Sequence, residues 1–181
     1  MNFIGFADDQ AAREQKMPEW IKGWNTRVAV RAVLLDEQDR VALMYIGAYD
    51  SYKLPGGGVD EGEFLEVALK RELLEETGCT IKPIVDIGVF LEKVDERKMF
   101  QTSFCYLVRV VKKGELMLTD KEISKGFELR WVENIEKAIE LISNGKTNQS
   151  HDLYIRIRDK NILLAAQKII SQNRDLVLNK E

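Results

Sequence analysis

Residues 57–79 read GGVDEGEFLEVALKRELLEETGC, and this stretch joins a glycine loop to a regular helix pattern. Residues 64–77 contain strong helix formers and no helix breaker. They stop at Gly78, and glycine is the residue that most often ends a helix in the left-handed conformation. The stretch therefore predicts a helix over residues 64–77, entered from an irregular loop at Gly56–Gly58.

Three acidic side chains share one face of this predicted helix. At roughly 100° per residue, Glu72, Glu75 and Glu76 fall within about one third of the helix circumference. Like charges at this spacing destabilise a helix by about 0.2–0.5 kcal/mol a pair, and acids near its C-terminus also oppose the helix dipole. A function that compensates this cost is the binding of a hard divalent cation, Mg²⁺ or Mn²⁺. The alternative is a solvated acidic face that has Lys70 and Arg71 as neighbours.

The glycine loop provides a second, independent feature. Gly56, Gly57 and Gly58 allow the backbone to approach a ligand closely, which suits a phosphate chain or a metal ion. A simple turn is the alternative for glycines alone. The spacing between the loop and the acidic helix decides between the two interpretations.

That spacing resembles the Nudix box of the Nudix hydrolases. The matching positions are Gly57, Glu63, Arg71-Glu72-Leu73, Glu75-Glu76, Gly78 and Cys79. At ordinary residue frequencies such a pattern would arise by chance in a chain of this length about once in a million. The last position departs from the family, which normally has a larger aliphatic residue where this chain has Cys79.

The resemblance implies an α/β (α+β) fold, a Nudix-like α/β/α sandwich with a mixed β-sheet between helices. The chain outside the box agrees with it. Alternating and β-branched patterns predict strands at 27–35, 41–46, 81–94, 99–111 and 129–132. A helix is predicted at 135–143, where it ends before Asn144-Gly145, and another at about 150–172, where apolar residues recur at helical spacing. We expect a Nudix hydrolase domain over residues 27–181 that includes the C-terminal helix. Residues 1–26, with Trp20 and Trp24, are expected to be an extension that packs on the core or on a partner subunit.

The resemblance also assigns roles to residues. It implies metal ligation by Glu72, Glu75 and Glu76, with the Gly57 carbonyl as a plausible further ligand. Glu63 would support the site, and Arg71 would orient a neighbouring glutamate, which a guanidinium fork does better than a lysine. The general base is Glu72 or a glutamate of a later loop. Glu122 and Glu128 are the candidates there, and we favour Glu122, so the catalytic set is Glu72, Arg71, Glu63 and Glu122. Substrate contacts are expected from Gly56, Gly57, Gly58 and Tyr52.

The activity implied is metal-dependent hydrolysis, with Mg²⁺ (or Mn²⁺), of a phosphoanhydride bond by attack of water on phosphorus. The substrate is a nucleoside diphosphate linked to another moiety, or a nucleoside triphosphate. Two alternatives stay open: a catalytically weak nucleotide-sensing module, and an enzyme similar to isopentenyl-diphosphate isomerase. The latter needs a cysteine in the pocket, and both Cys79 and Cys105 have apolar neighbours that favour buried thiols.

Composition limits the possible partners. The chain has 181 residues, with 27 basic against 30 acidic side chains and a net charge of −3. This balance provides no basic field for duplex nucleic acid or an anionic membrane. No apolar run reaches the roughly 18 residues that a membrane span needs, and the first residues do not resemble a signal peptide. We expect a cytoplasmic protein with a small nucleotide substrate, and a homodimer is possible.

Overall fold

The computed structural model describes residues 22–145 and 150–173 of the chain. Its strands are β1 (Asn25–Leu35), β2 (Val41–Ile46), β3 (Ser51–Lys53), β4 (Cys79–Val94), β5 (Met99–Lys113) and β6 (Phe127–Val132). Its helices are α1 (Leu65–Thr77), α2 (Asp120–Ser124), α3 (Ile135–Ser143) and α4 (Ser150–Gln172). The strands and long helices agree with those expected from the sequence, whereas β3 and α2 are additions to it.

The six strands form one mixed sheet. Its order is β3-β2-β1-β5-β4, and β6 also pairs with β2. The pair β1 and β5 is parallel, and the other pairs are antiparallel. This arrangement confirms the predicted α/β fold with a mixed sheet.

Side chains on the two faces of β1 pack against different helices. Val30, Ala32 and Leu34 pack in one cluster with α1, through side chains that include Leu69 and Leu73. The odd-numbered residues of β1 point to the other face, because successive side chains of a strand alternate. On that face Val33 and Leu35 belong to a second cluster, to which α3 and α4 contribute Ile135, Ala138, Ile142, Ile162, Leu163 and Ala166.

The glycine loop is held along the edge of β1 by backbone hydrogen bonds. Val30 N–H donates to the Gly57 carbonyl at 2.9 Å, and Ala32 N–H donates to the Pro55 carbonyl at 3.1 Å. Gly56 has φ +124°, and a Cβ there would overlap the carbonyl oxygen of Val30. This position therefore requires glycine, because the backbone conformation and the close approach to β1 both exclude a side chain.

Helix α1 ends as the sequence predicts. Gly78 adopts φ +67° and its N–H donates to the Leu74 carbonyl at 2.9 Å. The next residue, Cys79, is buried in the cluster beneath α1. A small hydrophobe thus fills the position where the family normally has a larger one.

Of the two N-terminal tryptophans, only Trp24 lies in the described part of the chain. Its ring packs on Phe100, with ring centroids 4.7 Å apart, and Lys93 lies over its face. Trp24 therefore packs on β5 of its own chain. Trp20 and most of the predicted extension lie outside the described residues.

Candidate active site

A cavity of about 440 Å³ opens where the glycine loop, α1 and the polar end of the sheet meet. Its acidic lining residues are Glu72, Glu75, Glu76, Glu92 and Glu122. Its basic lining residues are Arg27, Arg31, Lys53, Arg97, Lys121, Lys125 and Arg158. Gly56, Gly57 and Gly58 line it as well, so the structure brings most of the predicted site residues to one place.

Arg71 connects the acidic residues of the box. Its Nε and Nη2 donate to the two carboxylate oxygens of Glu63, each at 2.9 Å. Its Nη1 donates to Glu72 at 2.9 Å and to Glu75 at 3.4 Å, and Nη2 also donates to the Gly58 carbonyl at 3.0 Å. The hydrogen bonds from Arg71, with one from the backbone, lower the pKa of Glu63 to about 2. The geometry agrees with the expectation that Arg71 orients neighbouring glutamates.

Glu76 is buried and fully bonded on the inner side of the cavity. Lys53 Nζ donates to its Oε1 at 2.6 Å, and Gly56 N–H donates to its Oε2 at 2.7 Å. The second of these bonds joins the acidic helix directly to the glycine loop. Lys53 reaches Glu76 from β3, a strand that the sequence analysis did not predict.

Glu72 lies against the glycine loop. A Cβ added to Gly57 would overlap the Glu72 carboxylate, so only glycine leaves that carboxylate its place. Burial raises the pKa of Glu72; the hydrogen bond from Arg71 opposes this, and the negative charges of Glu76 and Glu75 add to it. This carboxylate would be stabilised in its charged form by a cation bound beside it.

The donor set fits a hard divalent cation by chemistry and charge. Four glutamates, at 63, 72, 75 and 76, exceed their two bonded cations Arg71 and Lys53 by two negative charges. In the described part of the chain, however, no three acidic, histidine or cysteine side chains are gathered closely enough to hold a metal. The reason is that Lys53 draws Glu76 to one side while Arg71 draws Glu72 and Glu75 to the other. The Gly57 carbonyl already accepts one hydrogen bond from Val30, so only its second lone pair is available.

Glu122 lines the cavity but is also engaged in capping α2. Its carboxylate accepts hydrogen bonds from the Thr119 N–H at 2.9 Å and from the Thr119 hydroxyl at 2.8 Å. Thr119 in turn accepts from the Glu122 N–H, which completes a capping box. To act as a base, as predicted, the Glu122 carboxylate would have to accept a proton while it also caps the N-terminus of α2.

Tyr52 lies away from the place that the sequence analysis gave it. Lys53 faces the cavity, and Tyr52, its neighbour on β3, points to the other side because of the strand alternation. Its hydroxyl accepts a hydrogen bond from Arg130 at 2.8 Å, and its ring packs on Tyr45. The aromatic residue of this region that does line the cavity is Tyr49.

None of the seven basic residues that line the cavity was predicted from the sequence as a site residue, and four of them lie on β1, β3 and α4: Arg27, Arg31, Lys53 and Arg158. A signal existed for the first two, because each is a charged residue on one side of an otherwise apolar strand. None existed for Arg158, which α4 brings to the cavity from about 80 residues beyond the box.

Neither cysteine lines the cavity. Cys79 and Cys105 are both buried free thiols, and burial raises the pKa of Cys105 to about 11. The structure therefore places no cysteine where the isomerase-like alternative needs one. Among the described helices, none is long and apolar enough to cross a membrane.

Comparisons with known proteins agree with this fold. A family model described as the NUDIX domain matches residues 25–149. A putative 8-oxo-dGTP diphosphatase of Bacillus subtilis (strain 168) is 28% identical over 139 residues, which cover 74% of this chain and 88% of the relative. An RNA pyrophosphohydrolase of Sulfurovum sp. (strain NBC37-1) is 36% identical over 94 residues, covering 46% and 59% of the two chains. The structure of a NUDIX hydrolase from Nitrosomonas europaea superposes with a TM-score of 0.61 at 20% identity, over 80% of this chain and 90% of that one, which supports the fold.

Proposed function

This chain belongs to the Nudix hydrolase family, and from that premise we propose that it hydrolyses a phosphoanhydride bond in a nucleotide. The substrate is a nucleoside triphosphate, or a nucleoside diphosphate linked to another moiety. The names of two relatives, an 8-oxo-dGTP diphosphatase and an RNA pyrophosphohydrolase, support this substrate class. Enzymes of the family generally need a divalent metal ion.

The observation that carries the proposal is the division of charge within one cavity. The glutamates of the box lie on α1, and basic side chains from β1, β3, α4 and the loop around α2 line the same space. A polyphosphate is strongly anionic, so its hydrolysis requires positive charge around the phosphoryl oxygens. The cavity volume of about 440 Å³ also lies within the range of small-molecule sites, roughly 300–1,000 Å³.

We propose that Glu72, Glu75 and Glu76 hold Mg²⁺ or Mn²⁺, with the Gly57 carbonyl as a possible fourth ligand. When bound, such an ion neutralises phosphoryl oxygens and lowers the pKa of a water molecule. The protein's own contribution is positioning. Arg71 fixes the directions of the Glu63, Glu72 and Glu75 carboxylates through its hydrogen bonds.

Two carboxylates of the cavity are candidates for the general base, Glu72 and Glu122. Glu72 lies against the glycine loop, where burial raises its pKa, and a metal ion bound to its carboxylate would lower that pKa. Glu122 is partly buried and accepts two hydrogen bonds from Thr119. If Glu122 is the base, Glu122→Gln lowers kcat by about 10²- to 10⁴-fold. Glu128→Gln is the matched control, because Glu128 pairs with Arg130 instead.

The experiment that tests the function is a substrate panel with each metal ion. Nucleoside triphosphates, 8-oxo-dGTP, nucleotide sugars and 5′-triphosphorylated RNA are incubated with Mg²⁺ or Mn²⁺, and released phosphate and pyrophosphate are measured. Glu75→Gln and Glu76→Gln should lower turnover by on the order of 100-fold or more. Glu66→Gln is the control on the same helix, since Glu66 is exposed and pairs with Lys70 at 2.6 Å. Tight nucleotide binding without turnover in the wild type would favour the sensing alternative.

We further propose that α4 belongs to the hydrolase domain predicted for residues 27–181, although the family match ends at residue 149. Ile162, Leu163 and Ala166 are buried in the core, and Arg158 lines the cavity. The N-terminal extension, the homodimer and the cytoplasmic location stay predictions. Light scattering on the purified chain measures the oligomeric state directly.

A further inference from the structure

Arg31 is a buried cation that forms no ion pair with any residue in the described part of the chain. Only 7% of its surface is exposed, and it lines the cavity. Its Nη1 donates to the Val30 carbonyl at 2.9 Å, whereas its Nε has no hydrogen-bond partner. Among the described residues, no carboxylate lies within ion-pair distance of it. A buried, incompletely bonded guanidinium destabilises a fold unless a ligand completes its contacts.

A second buried arginine increases this positive charge. Arg158, which is 2% exposed, donates to Asp159 at 2.7 Å and to Glu92 at 3.4 Å. Arg27 lies on the same side of β1 as Arg31 and donates to Gln101 at 2.9 Å. The direct carboxylate partners of this group of arginines are Asp159 and Glu92, both bonded to Arg158, whereas Glu72 and Glu76 act on Arg27 and Arg31 without a direct hydrogen bond. Burial, and next the charge of Arg158, lower the pKa of Arg31 to about 10, which still leaves it protonated at neutral pH.

The position of these arginines relates them to the glycine loop. A Cβ on Gly56 would come within 3.1 Å of the Arg31 Cα, and one on Gly58 within 3.1 Å of the Arg27 Nη2. The same loop also touches acidic residues, because Gly56 N–H donates to Glu76 and Gly57 lies against Glu72. A ligand chain that lies along the loop would therefore have both the acidic residues and the arginines within reach.

We propose that Arg31, with Arg158 and Arg27 beside it, binds a phosphate group of the substrate's polyphosphate chain. The proposal rests on the function proposed above and adds a recognition site to it. Phosphate matches the planar fork of arginine donors, and it is the anionic group that the substrate class carries. Arg158 lies on α4, beyond residue 149, where the family match ends.

Calorimetric titration of the full chain with inorganic pyrophosphate, in EDTA, tests the site without any turnover. Arg31→Gln should weaken binding by about 10- to 100-fold, as the loss of charge-assisted hydrogen bonds does. Arg130→Gln is the matched control, because Arg130 is a partly exposed arginine that does not line the cavity, and it should leave the affinity unchanged. Wild-type affinity should fall with added salt.

A second variant keeps the test decisive if Arg31→Gln does not fold. Arg27 is more exposed, and Arg27→Gln should lower pyrophosphate affinity about 10-fold with an unchanged circular dichroism spectrum. Arg31→Lys, which keeps the charge but not the fork, should have intermediate affinity. Wild-type affinity for pyrophosphate in the folded variants, or no binding by the wild type at millimolar pyrophosphate, would overturn the proposal.

Kinetics distinguish the substrate's phosphate from a released one. If the site binds the substrate, Arg31→Gln raises KM for the nucleotide found in the panel more than it lowers kcat. If it binds only the product, KM is unchanged and inhibition by added phosphate or pyrophosphate is lost, which contradicts the substrate role. A wild type that hydrolyses no nucleotide, although Arg31→Gln loses pyrophosphate binding, would refute the proposed function alone. Full turnover with unchanged KM and anion affinity in Arg31→Gln would refute this inference alone.

Discussion

Replacing Gly56 and Gly57 by alanine, one at a time, separates the structural role of the glycine loop from its role in the site. A Cβ at Gly57 would overlap only the end of the Glu72 side chain, and that flexible side chain can rotate away. A Cβ at Gly56 would overlap the backbone oxygen of Val30 and lie 3.1 Å from the Arg31 Cα, and neither can move without shifting β1. We therefore expect Gly57→Ala to affect mainly activity and Gly56→Ala to affect mainly stability.

For Gly57→Ala, stability changes little and activity falls. Alanine lowers the conformational entropy of the unfolded chain, which stabilises the folded protein by about 0.4–1 kcal/mol. The loss of the 2.9 Å hydrogen bond from Arg71 to Glu72 destabilises by a similar amount, about 1 kcal/mol. The net change in the free energy of unfolding is within about 1 kcal/mol. Displacement of the Glu72 carboxylate should lower kcat by on the order of 100-fold.

For Gly56→Ala, stability itself falls. Forcing alanine to φ +124° costs about 1–3 kcal/mol, and the overlap with Val30 weakens the pairing of the loop with β1 and the bond to Glu76. A total loss of about 3–5 kcal/mol follows, which lowers Tm by roughly 6–20 °C for a domain of this size.

Urea unfolding and kcat for the nucleotide found in the panel, measured on both variants, provide the test. A Gly57→Ala enzyme with wild-type kcat would show that the place of the Glu72 carboxylate beside the loop does not matter. A Gly56→Ala protein as stable as the wild type would refute the strand-edge role of the loop.

Three further predictions concern acid, metal and thiols. Burial raises the pKa of Asp36, but hydrogen bonds from Arg40 and Lys113 outweigh it and lower the pKa to about 2. Because the pKa of Asp36 is lower in the folded than in the unfolded protein, its ionised carboxylate stabilises the fold by about 2 kcal/mol above pH 4, and this stabilisation is lost toward pH 2. Urea unfolding measured at each pH should show the loss, and Asp36→Asn should remove this pH dependence. Saturating Mg²⁺ or Mn²⁺ should raise Tm by about 5–10 °C, and Glu75→Gln should reduce this shift in scanning calorimetry. Cys105, which is buried, should react with a thiol reagent only in denaturant, and Cys105→Ala should keep wild-type kcat, whereas a loss of catalysis in a folded variant would support the isomerase-like alternative.

Local sequence patterns were sufficient for the parts of the fold that are regular over many residues. Helix α1 and its end at Gly78 follow from uninterrupted helix formers before a glycine, and the strands of the sheet follow from alternating or β-branched runs. The strand β3 was missed because it has three residues, too few for any period to show. Helix α2 was missed for the same reason, although Thr119 and Glu122 have the spacing of a capping box.

The candidate site was only half predictable. The acidic residues lie within one helix, so helical spacing alone places Glu72, Glu75 and Glu76 on one face. Their partners depend on tertiary structure: Lys53 reaches Glu76 across 23 residues, and Arg158 reaches Glu92 across 66. No local pattern specifies such contacts. Tyr52 illustrates the same limit, because the register of a three-residue strand decided which of Tyr52 and Lys53 faces the cavity.

One face of β1 changes along the strand from charged residues that line the cavity to apolar residues of the core. On the face covered by α4, Val33 and Leu35 belong to the apolar core. Arg31 and Arg27, two and six residues before Val33, occupy the same face but line the cavity. Apolar side chains there would continue the core and avoid the desolvation of buried charge. Charged side chains in place of apolar ones, and an Arg31 Nε without a hydrogen-bond partner, therefore lower the stability of the protein without a compensating contact. Under the proposals made above, an anion that enters the cavity would offset this cost, and a cation would offset the repulsion among the acids of α1. A metal-bound polyphosphate would supply both ligands together.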